Sequence, residues 1–475
     1  MNEICLAPAH KIAALIGRKE ISCVDVAHAH LERIEKLNPS LNAFVDLRPE
    51  RVLSQAEKAQ AVIQSGTAVG PLHGVPLSIK SSIDVAGHRV EAGSTLRKGQ
   101  VASEDAPLVA RLRSAGAIIL GVTNAPEFLM AWETDNLLYG RTNNPWDLTR
   151  TAGGSSGGEA AAISAGLSAG GVGSDGGGSI REPAHFCGIC GLKPTPGRVP
   201  SSGHYPKAGG PFALLGVVGP MARTIEDVRL LFNAMAGYHD GDPCAAPVSE
   251  ASNTELHQTQ LEQIKIAVFE YDGRTPVTGE TRDAVRNAAS YLINCGFTVN
   301  QFRPEGLEEA RLIWADFFVS AGGMILEPIL HGHDEELSSI LREFRRWAKA
   351  RPALTAESLL ASWIGRDAVR EKILIQMRQY PILLCPTAAI PAFRHGEREW
   401  QVEGKTVQYL DAWSYCEWFN LLGFPAVVVP MGRSPEGLPI AVQIVGRPWQ
   451  EELVLSVAAK LEAARGPWQA PVLAG

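Results

Sequence analysis

Near the start of the chain the apolar residues Ile12, Leu15, Ile16, Val24, Val26, Ala27, Leu31 and Ile34 recur at helical spacing. That spacing places them on one helix face, and an interruption near Arg18-Lys19-Glu20 divides the segment from about Ala9 to Leu37 into two amphipathic helices. A third helix is predicted from Pro49 to Ser65, followed by a loop from Gly66 to Gly74. The pattern then changes. Val75-Pro76-Leu77-Ser78-Ile79 is an apolar run too short for a helix, and it reads as a buried strand closed by Lys80.

The alternation continues with a helix over Ala106 to Ala115, a strand over Ala117 to Val122 and a loop-rich stretch from Thr123 to Thr151. A small-residue helix is predicted from Glu159 to Ala169. Later apolar runs, Ile264 to Phe269, Tyr380 to Cys385, Pro425 to Met431 and Leu438 to Val445, read as further strands, and Trp449 to Ala464 as a closing helix. Helix alternating with strand predicts the α/β class. The polar run His239-Asp240-Gly241-Asp242-Pro243 marks an excursion from the core between about Tyr238 and Thr254.

Composition narrows the function classes. Of 475 residues, 45% are hydrophobic and 20% charged, as in ordinary globular proteins. A formal charge of −7 without a dense Lys/Arg cluster offers no general attraction to phosphate backbones or anionic lipid, so neither nucleic acid nor membrane is an expected partner. No apolar run reaches the length that spans a bilayer, and Met1-Asn2-Glu3-Ile4-Cys5 lacks the basic and apolar regions of a signal peptide. The scattered cysteines, Cys5, Cys23, Cys187, Cys190, Cys244, Cys295, Cys385 and Cys416, fit a reduced, cytoplasmic setting. Cys187 and Cys190 have the spacing of a metal or redox pair, but no second pair or histidine cluster accompanies them. They are expected as buried small hydrophobes, and no metal is expected.

Gly153 to Gly191 is the segment of least ordinary composition. Two serine sites lie in it, Gly153-Gly154-Ser155-Ser156-Gly157-Gly158 and Ser174-Asp175-Gly176-Gly177-Gly178-Ser179-Ile180-Arg181. Glycine lets backbone approach a reacting group, and successive N–H groups can converge on one oxygen. Gly176, Gly177, Gly178 and Ser179 are therefore candidates for an oxyanion hole, with Ser179 as nucleophile. A serine hydroxyl also needs a base. His73, His185 and His204 bring no acidic partner that reads as a triad. Lys80 can serve instead, because an apolar strand end disfavours the ammonium form.

Together these segments resemble the amidase signature family. The match comprises Gly74-Val75-Pro76 with Lys80, Thr123-Asn124-Ala125-Pro126-Glu127-Phe128, the Gly153 to Gly158 box, and Gly176 to Arg181 followed by Cys187-Gly188-Ile189-Cys190-Gly191-Leu192-Lys193-Pro194-Thr195. The spacings, 155 − 80 = 75 and 179 − 155 = 24, are typical of the family. Gly423-Phe424-Pro425-Ala426 and Gly437-Leu438-Pro439-Ile440-Ala441-Val442-Gln443 look like its closing strands.

The resemblance implies one large α/β/α domain over 1–475, a central mixed β-sheet flanked by helices. N-terminal helices would occupy 1–70, the signature core 71–235, a variable substrate-pocket region 240–380, and closing strands and helix 381–475. It also implies an amidohydrolase that cleaves a carboxamide, with carbamates, anilides and esters as related substrates. Ser179 would attack the carbonyl carbon, Ser155, preceded by a cis peptide from Gly154, would relay the proton, and Lys80 would be the base. Ser156 would hold Lys80, Asp175 the glycine loop and Arg181 the base of the site. The implied partner is a small-molecule substrate, no cofactor enters this chemistry, and a homodimer is compatible with it.

Two positions depart from the family pattern. Ser81 stands where an acidic residue often follows the lysine, and Glu182 where a small or apolar residue is common. Glu182 is expected to pair with Arg181 or another cation.

Three other readings compete. Gly153 to Gly157 satisfies the G-x-S-x-G pattern of an α/β-hydrolase esterase, although Asn143-Asn144-Pro145-Trp146-Asp147 before it looks like a loop. Gly171-Val172-Gly173-Ser174-Asp175-Gly176 satisfies the dinucleotide-binding pattern, but it follows a helix and precedes no obvious helix start. The glutaminase subunit of a tRNA-dependent amidotransferase shares the same Ser–Ser–Lys set. Pro196-Gly197-Arg198-Val199-Pro200 differs from the Tyr-Gly-Arg-Val-Ser run typical there, which favours stand-alone action. Trp314, Phe317, Phe318, Met324 and Trp347 are candidates for a hydrophobic acyl pocket.

Overall fold

The computed structural model describes residues 2–207, 209–248 and 263–472. Its centre is an 11-stranded sheet. In chain order the strands are β1 Phe44–Leu47, β2 Pro76–Lys80, β3 Ile118–Thr123, β4 Gly170–Asp175, β5 Cys190–Lys193, β6 Val217–Ala222, β7 Lys265–Val268, β8 Thr298–Gln301, β9 Ile382–Pro386, β10 Ala426–Arg433 and β11 Pro439–Gly446. Across the sheet they lie in the order β1-β3-β2-β4-β6-β5-β10-β11-β9-β7-β8. Pairing is parallel through β3-β2-β4 and β9-β7-β8 and antiparallel elsewhere. The sheet is therefore mixed, and helices flank it. β2, β3, β4, β9 and β11 are buried along their whole length, which is why they read as continuous apolar or small-residue runs rather than as alternation.

The opening helices form at Ala9–Gly17 and Cys23–Leu41, and the next helix at Pro49–Ser65. Their break is chemical as well as periodic: Lys19 turns left-handed at φ 60° and the Ser22 hydroxyl caps the second helix by accepting from Asp25 N–H at 2.9 Å. The small-residue helix is shorter than expected, Gly157–Ser164, because the chain turns at Gly166, φ 72°, to enter β4. The loop-like residues Asn143 to Asp147 instead join a small ribbon, Asn143–Asn144 against Asp147–Thr151, that stands apart from the central sheet. The polar excursion expected over 238–254 lies outside the described residues from 249 onward.

One expectation is corrected. The helical stretch Leu307–Leu330 is long and apolar enough by composition to cross a membrane, with a mean hydropathy of 1.4. Its Leu307, Ala310, Trp314, Phe317, Phe318, Leu326 and Leu330 are built into an aromatic-rich core with Phe344, Trp413 and Trp418, so one face has a packing cause, while Leu312, Met324, Ile325 and Ile329 are exposed. A separate aliphatic core joins the N-terminal helices to the sheet. All eight cysteines are free, and Cys187 and Cys190 are buried as expected.

Candidate active site

Lys80 is the last residue of β2 and Asp175 the last of β4. These strands are parallel neighbours, so both side chains emerge at the same edge of the sheet. That edge is where α/β sheets commonly place a ligand. The glycines of β4 have a packing cause. A Cβ on Gly171 would lie 1.8 Å from Glu159 Oε1 and 2.3 Å from Ser78 O, and one on Gly173 would lie 2.8 Å from Ser156 Oγ. The dinucleotide-like pattern is thus the strand itself, pressed against the helix Gly157–Ser164, and not a phosphate loop.

Lys80 is completely buried. Its Nζ lies 2.7 Å from Ser155 Oγ, 2.9 Å from Ser156 Oγ and 3.0 Å from Ser174 Oγ. The Ser156 hydroxyl donates to Ser174 O at 3.2 Å, so its oxygen is left to accept from Lys80. Nζ can donate to all three hydroxyl oxygens. Burial pushes the lysine well below its usual range, while Asp175 and Glu159 pull the other way. Glu159 is itself raised to about 7 by burial, against hydrogen bonds from Ser78 and Thr123 that favour the carboxylate. Ser174 carries no signal of this role in the chain, because only the third dimension brings it to Lys80.

The Gly154–Ser155 peptide is cis. Ser155 and Ser179 line one pocket, and Ser156 N–H donates to Ser179 O at 3.2 Å. Asp175 organises the glycine loop from beneath: Oδ1 accepts from Gly178 N–H at 2.7 Å and Oδ2 from Ile180 N–H at 3.1 Å. Burial alone would raise this carboxyl, but the Arg181 guanidinium and its hydrogen bonds hold it well below the usual carboxylate range. Arg181 also donates to Gln443 Oε1, Cys416 O and Asn420 Oδ1, so it ties the loop to the closing strands.

The bond to Asp175 takes Gly178 out of the expected set of oxyanion donors. Gly176, Gly177 and Ser179 N–H donate to no oxygen among the described residues. Two indoles orient the loop: Trp314 Nε1 donates to Gly176 O at 3.0 Å and Trp132 Nε1 to Gly177 O at 2.8 Å. In a trans peptide the N–H points opposite the C=O, so the first contact turns Gly177 N–H away from Trp314. Gly177 must stay small, since a Cβ there would meet Trp314 Cζ2 at 2.6 Å.

Glu182 does not pair with Arg181 or with any other cation among the described residues. Its Oε2 accepts from Gly154 N–H at 2.9 Å and its Oε1 is buried without a partner. Burial therefore holds this carboxyl well above the usual range. Two of the histidines are held by backbone contacts: His185 by Ala441 and Ile390, and His73 by Ala59 O. His204 lines the pocket, held by Pro206 O and Ser82 Oγ, and burial and then Lys80 lower it to about 4.

The pocket is narrow, with a cavity volume of about 50 Å3. Phe128, Leu129, Met130, Phe212, Val217, Val218 and Phe318 supply its apolar lining, and Ser201 and His204 are further polar lining groups. Asp175, already neutralised, is the only carboxylate or cation among the described lining residues. Of the acyl-pocket candidates, Phe318 lines the pocket and Trp314 stacks on it at 4.6 Å, whereas Met324 is exposed, Phe317 packs on Trp363 and Trp347 on Tyr409. A π-helical turn over Asp316–Ala321 carries Phe318.

Comparison with known proteins agrees with this architecture. A bacterial aryl acylamidase of the amidase signature family superposes with a TM-score of 0.86 at 27% identity, covering 97% of this chain and 96% of the other. The acylamidase of Rhodococcus erythropolis is 34% identical over 474 residues, 97% of this chain and 95% of that protein. The indoleacetamide hydrolase of Bradyrhizobium diazoefficiens is 32% identical over 462 residues, 96% of this chain and 86% of that protein. A glutamyl-tRNA(Gln) amidotransferase chain of Synechococcus sp. (strain JA-2-3B'a(2-13)) is 34% identical over 462 residues, 93% of this chain and 88% of that protein. The family model described as Amidase matches residues 25–455, and the chain accordingly belongs to the amidase family, whose members hydrolyse C–N bonds of amides.

Proposed function

We propose that this amidase cleaves small, uncharged amides through an acyl-enzyme on Ser179, with Ser155 as proton relay and Lys80 as base. The observation that carries the reading is a fully buried lysine amine 2.7 Å from Ser155 Oγ, and Ser155 lines the same pocket as Ser179. Ser179 Oγ bonds to the carbonyl carbon as the C=O π pair moves onto oxygen. Its proton passes to Ser155 Oγ, whose own proton passes to Lys80 Nζ. Gly176, Gly177 and Ser179 N–H supply donors for the oxyanion. The proton then returns through Ser155 to the leaving nitrogen, the C–N bond breaks and the amine departs. Water enters by the same relay and releases the acid.

The substrate class follows from the pocket wall. The apolar lining favours an apolar acyl or amine group, and the same chemistry accepts a carbamate, whose carbonyl carbon bears the same type of leaving group. Glutamine is disfavoured, since its ammonium and carboxylate would be buried there without counter-charges. The name of the Rhodococcus relative, acylamidase, supports the stand-alone reading. The test is a panel of anilides, primary amides, carbamates and glutamine assayed with the isolated chain and with Ser179→Ala. Hydrolysis of apolar amides that disappears in Ser179→Ala is expected. Glutaminase activity exceeding all others would reverse the substrate assignment.

A further inference from the structure

Three side chains hold the turn that presents Ser155. Thr151 Oγ1 accepts from Gly153 N–H at 3.0 Å, the Thr134 hydroxyl donates to Gly153 O at 2.8 Å, and Glu182 Oε2 accepts from Gly154 N–H at 2.9 Å. Glu182 differs from the two threonines in where it comes from. It sits in the first turn of the helix Arg181–Cys187, three residues after Ser179. The contact is close-fitted: a Cβ on Gly153 would lie 2.5 Å from Glu182 Oε2, and one on Gly154 2.6 Å from Glu133 N.

A buried carboxyl without a cation costs stability, and an apolar residue of similar size would avoid that cost. The groups whose charge reaches Glu182, or is felt from it, are Glu133, Asp175, Cys187, Cys416 and Tyr409, none of them a cation. What Glu182 supplies in return is one acceptor oxygen, delivered to the backbone N–H immediately before Ser155. We propose that Glu182 is a positioning residue for amide hydrolysis: through Oε2 it fastens the turn carrying Ser155 to the helix that follows Ser179, and so fixes the path of the proton between the two serines. This rests on the assignment of Ser155 and Ser179 given above. The contact is made to a backbone N–H, and burial pushes the carboxyl above its usual range.

The test compares Glu182→Gln, Glu182→Asp and Glu182→Leu, each with kcat, KM, the pH profile and Tm measured on the same apolar anilide. Glu182→Gln keeps an acceptor in place and is expected to hold kcat within about threefold with an unmoved pH profile. Glu182→Leu has no acceptor and Glu182→Asp falls one methylene short. Both are expected to lose about tenfold to a hundredfold in kcat, as for an ångström-scale misplacement, with KM nearly constant. If Glu182→Leu does not fold, Glu182→Asp carries the comparison. Wild-type kcat in the Asp or Leu variant overturns the proposal, as does a loss in Glu182→Gln equal to that in Glu182→Leu. Ser179→Ala separates the two claims: its retained activity would refute the nucleophile, whereas an inactive Ser179→Ala beside a fully active Glu182→Leu refutes the positioning role alone.

Discussion

Replacing Lys80 by Met removes the amine and keeps the length and apolar stem of the side chain. The amine is the hydrogen-bond partner of Ser155 Oγ, at 2.7 Å. Ser156 donates its proton to Ser174 O, and the Ser174 hydroxyl lies against the same Nζ at 3.0 Å. The variant should therefore lose what a general base contributes, about 10²- to 10⁴-fold in kcat, or roughly 3 to 5 kcal/mol of transition-state stabilisation. The pH dependence gives an independent reading. A lysine acting as base works as the neutral amine, so kcat/KM is expected to rise with pH as the ammonium loses its proton. Because burial holds Lys80 well below its usual range, the rise should end at a lower pH than the ordinary lysine value of about 10.4 would give. The assay is release of 4-nitroaniline from the 4-nitroanilide of a small apolar acid, followed from acid to alkaline pH in both proteins. Lys80→Met should lose the wild-type limb along with its rate. A variant within tenfold of wild type, or one that retains the same limb, would refute lysine as the base.

Ser179→Ala should abolish turnover, and mass spectrometry of the wild type quenched during reaction with a slow ester or carbamate should find an acyl group on the peptide containing Ser179 and not in the variant. Arg181→Met leaves the buried Asp175 without its guanidinium. Urea unfolding should show a loss of about 3 to 5 kcal/mol, as for other buried pairs missing one partner, and an unchanged midpoint would contradict the role given to the pair. Gly178→Ala places a side chain at φ 110° with its Cβ 2.9 Å from Cys416 Cβ, so lowered Tm and activity are expected, measured by thermal unfolding and the anilide assay. Phe318→Ala should reduce kcat/KM for an aromatic acyl group more than for acetyl, and equal losses would remove Phe318 from the substrate wall.

Strands β2, β3, β9, β10 and β11 were legible because each is an apolar run of strand length bounded by loop residues. β4 was not, since Gly170-Gly171-Val172-Gly173-Ser174-Asp175 has almost no side chain with which to show a period. Its pairing is enforced from outside, by Glu159 and Ser156 on one neighbouring helix and segment and by the strands on either side. The helix Leu307–Leu330 failed in the opposite sense. Charged residues interrupt its apolar pattern in the chain, and only the folded structure shows the aromatic core that receives its buried face.

By itself the sequence determined the α/β class, the family, and the segments in which reactive groups and clustered glycines occur, because periodicity, spacing and glycine content are local properties of the chain. Only the tertiary structure decided what those groups can do. Lys80 is held towards neutrality by burial among three hydroxyls, two of them from the Gly153 to Gly158 box and one from β4. Gly178 N–H is already bonded to Asp175, and Glu182 answers to Gly154 rather than to a cation. Protonation state and free hydrogen-bonding capacity depend on solvent exclusion and on partners distant in sequence, and neither exists until the sheet brings them together.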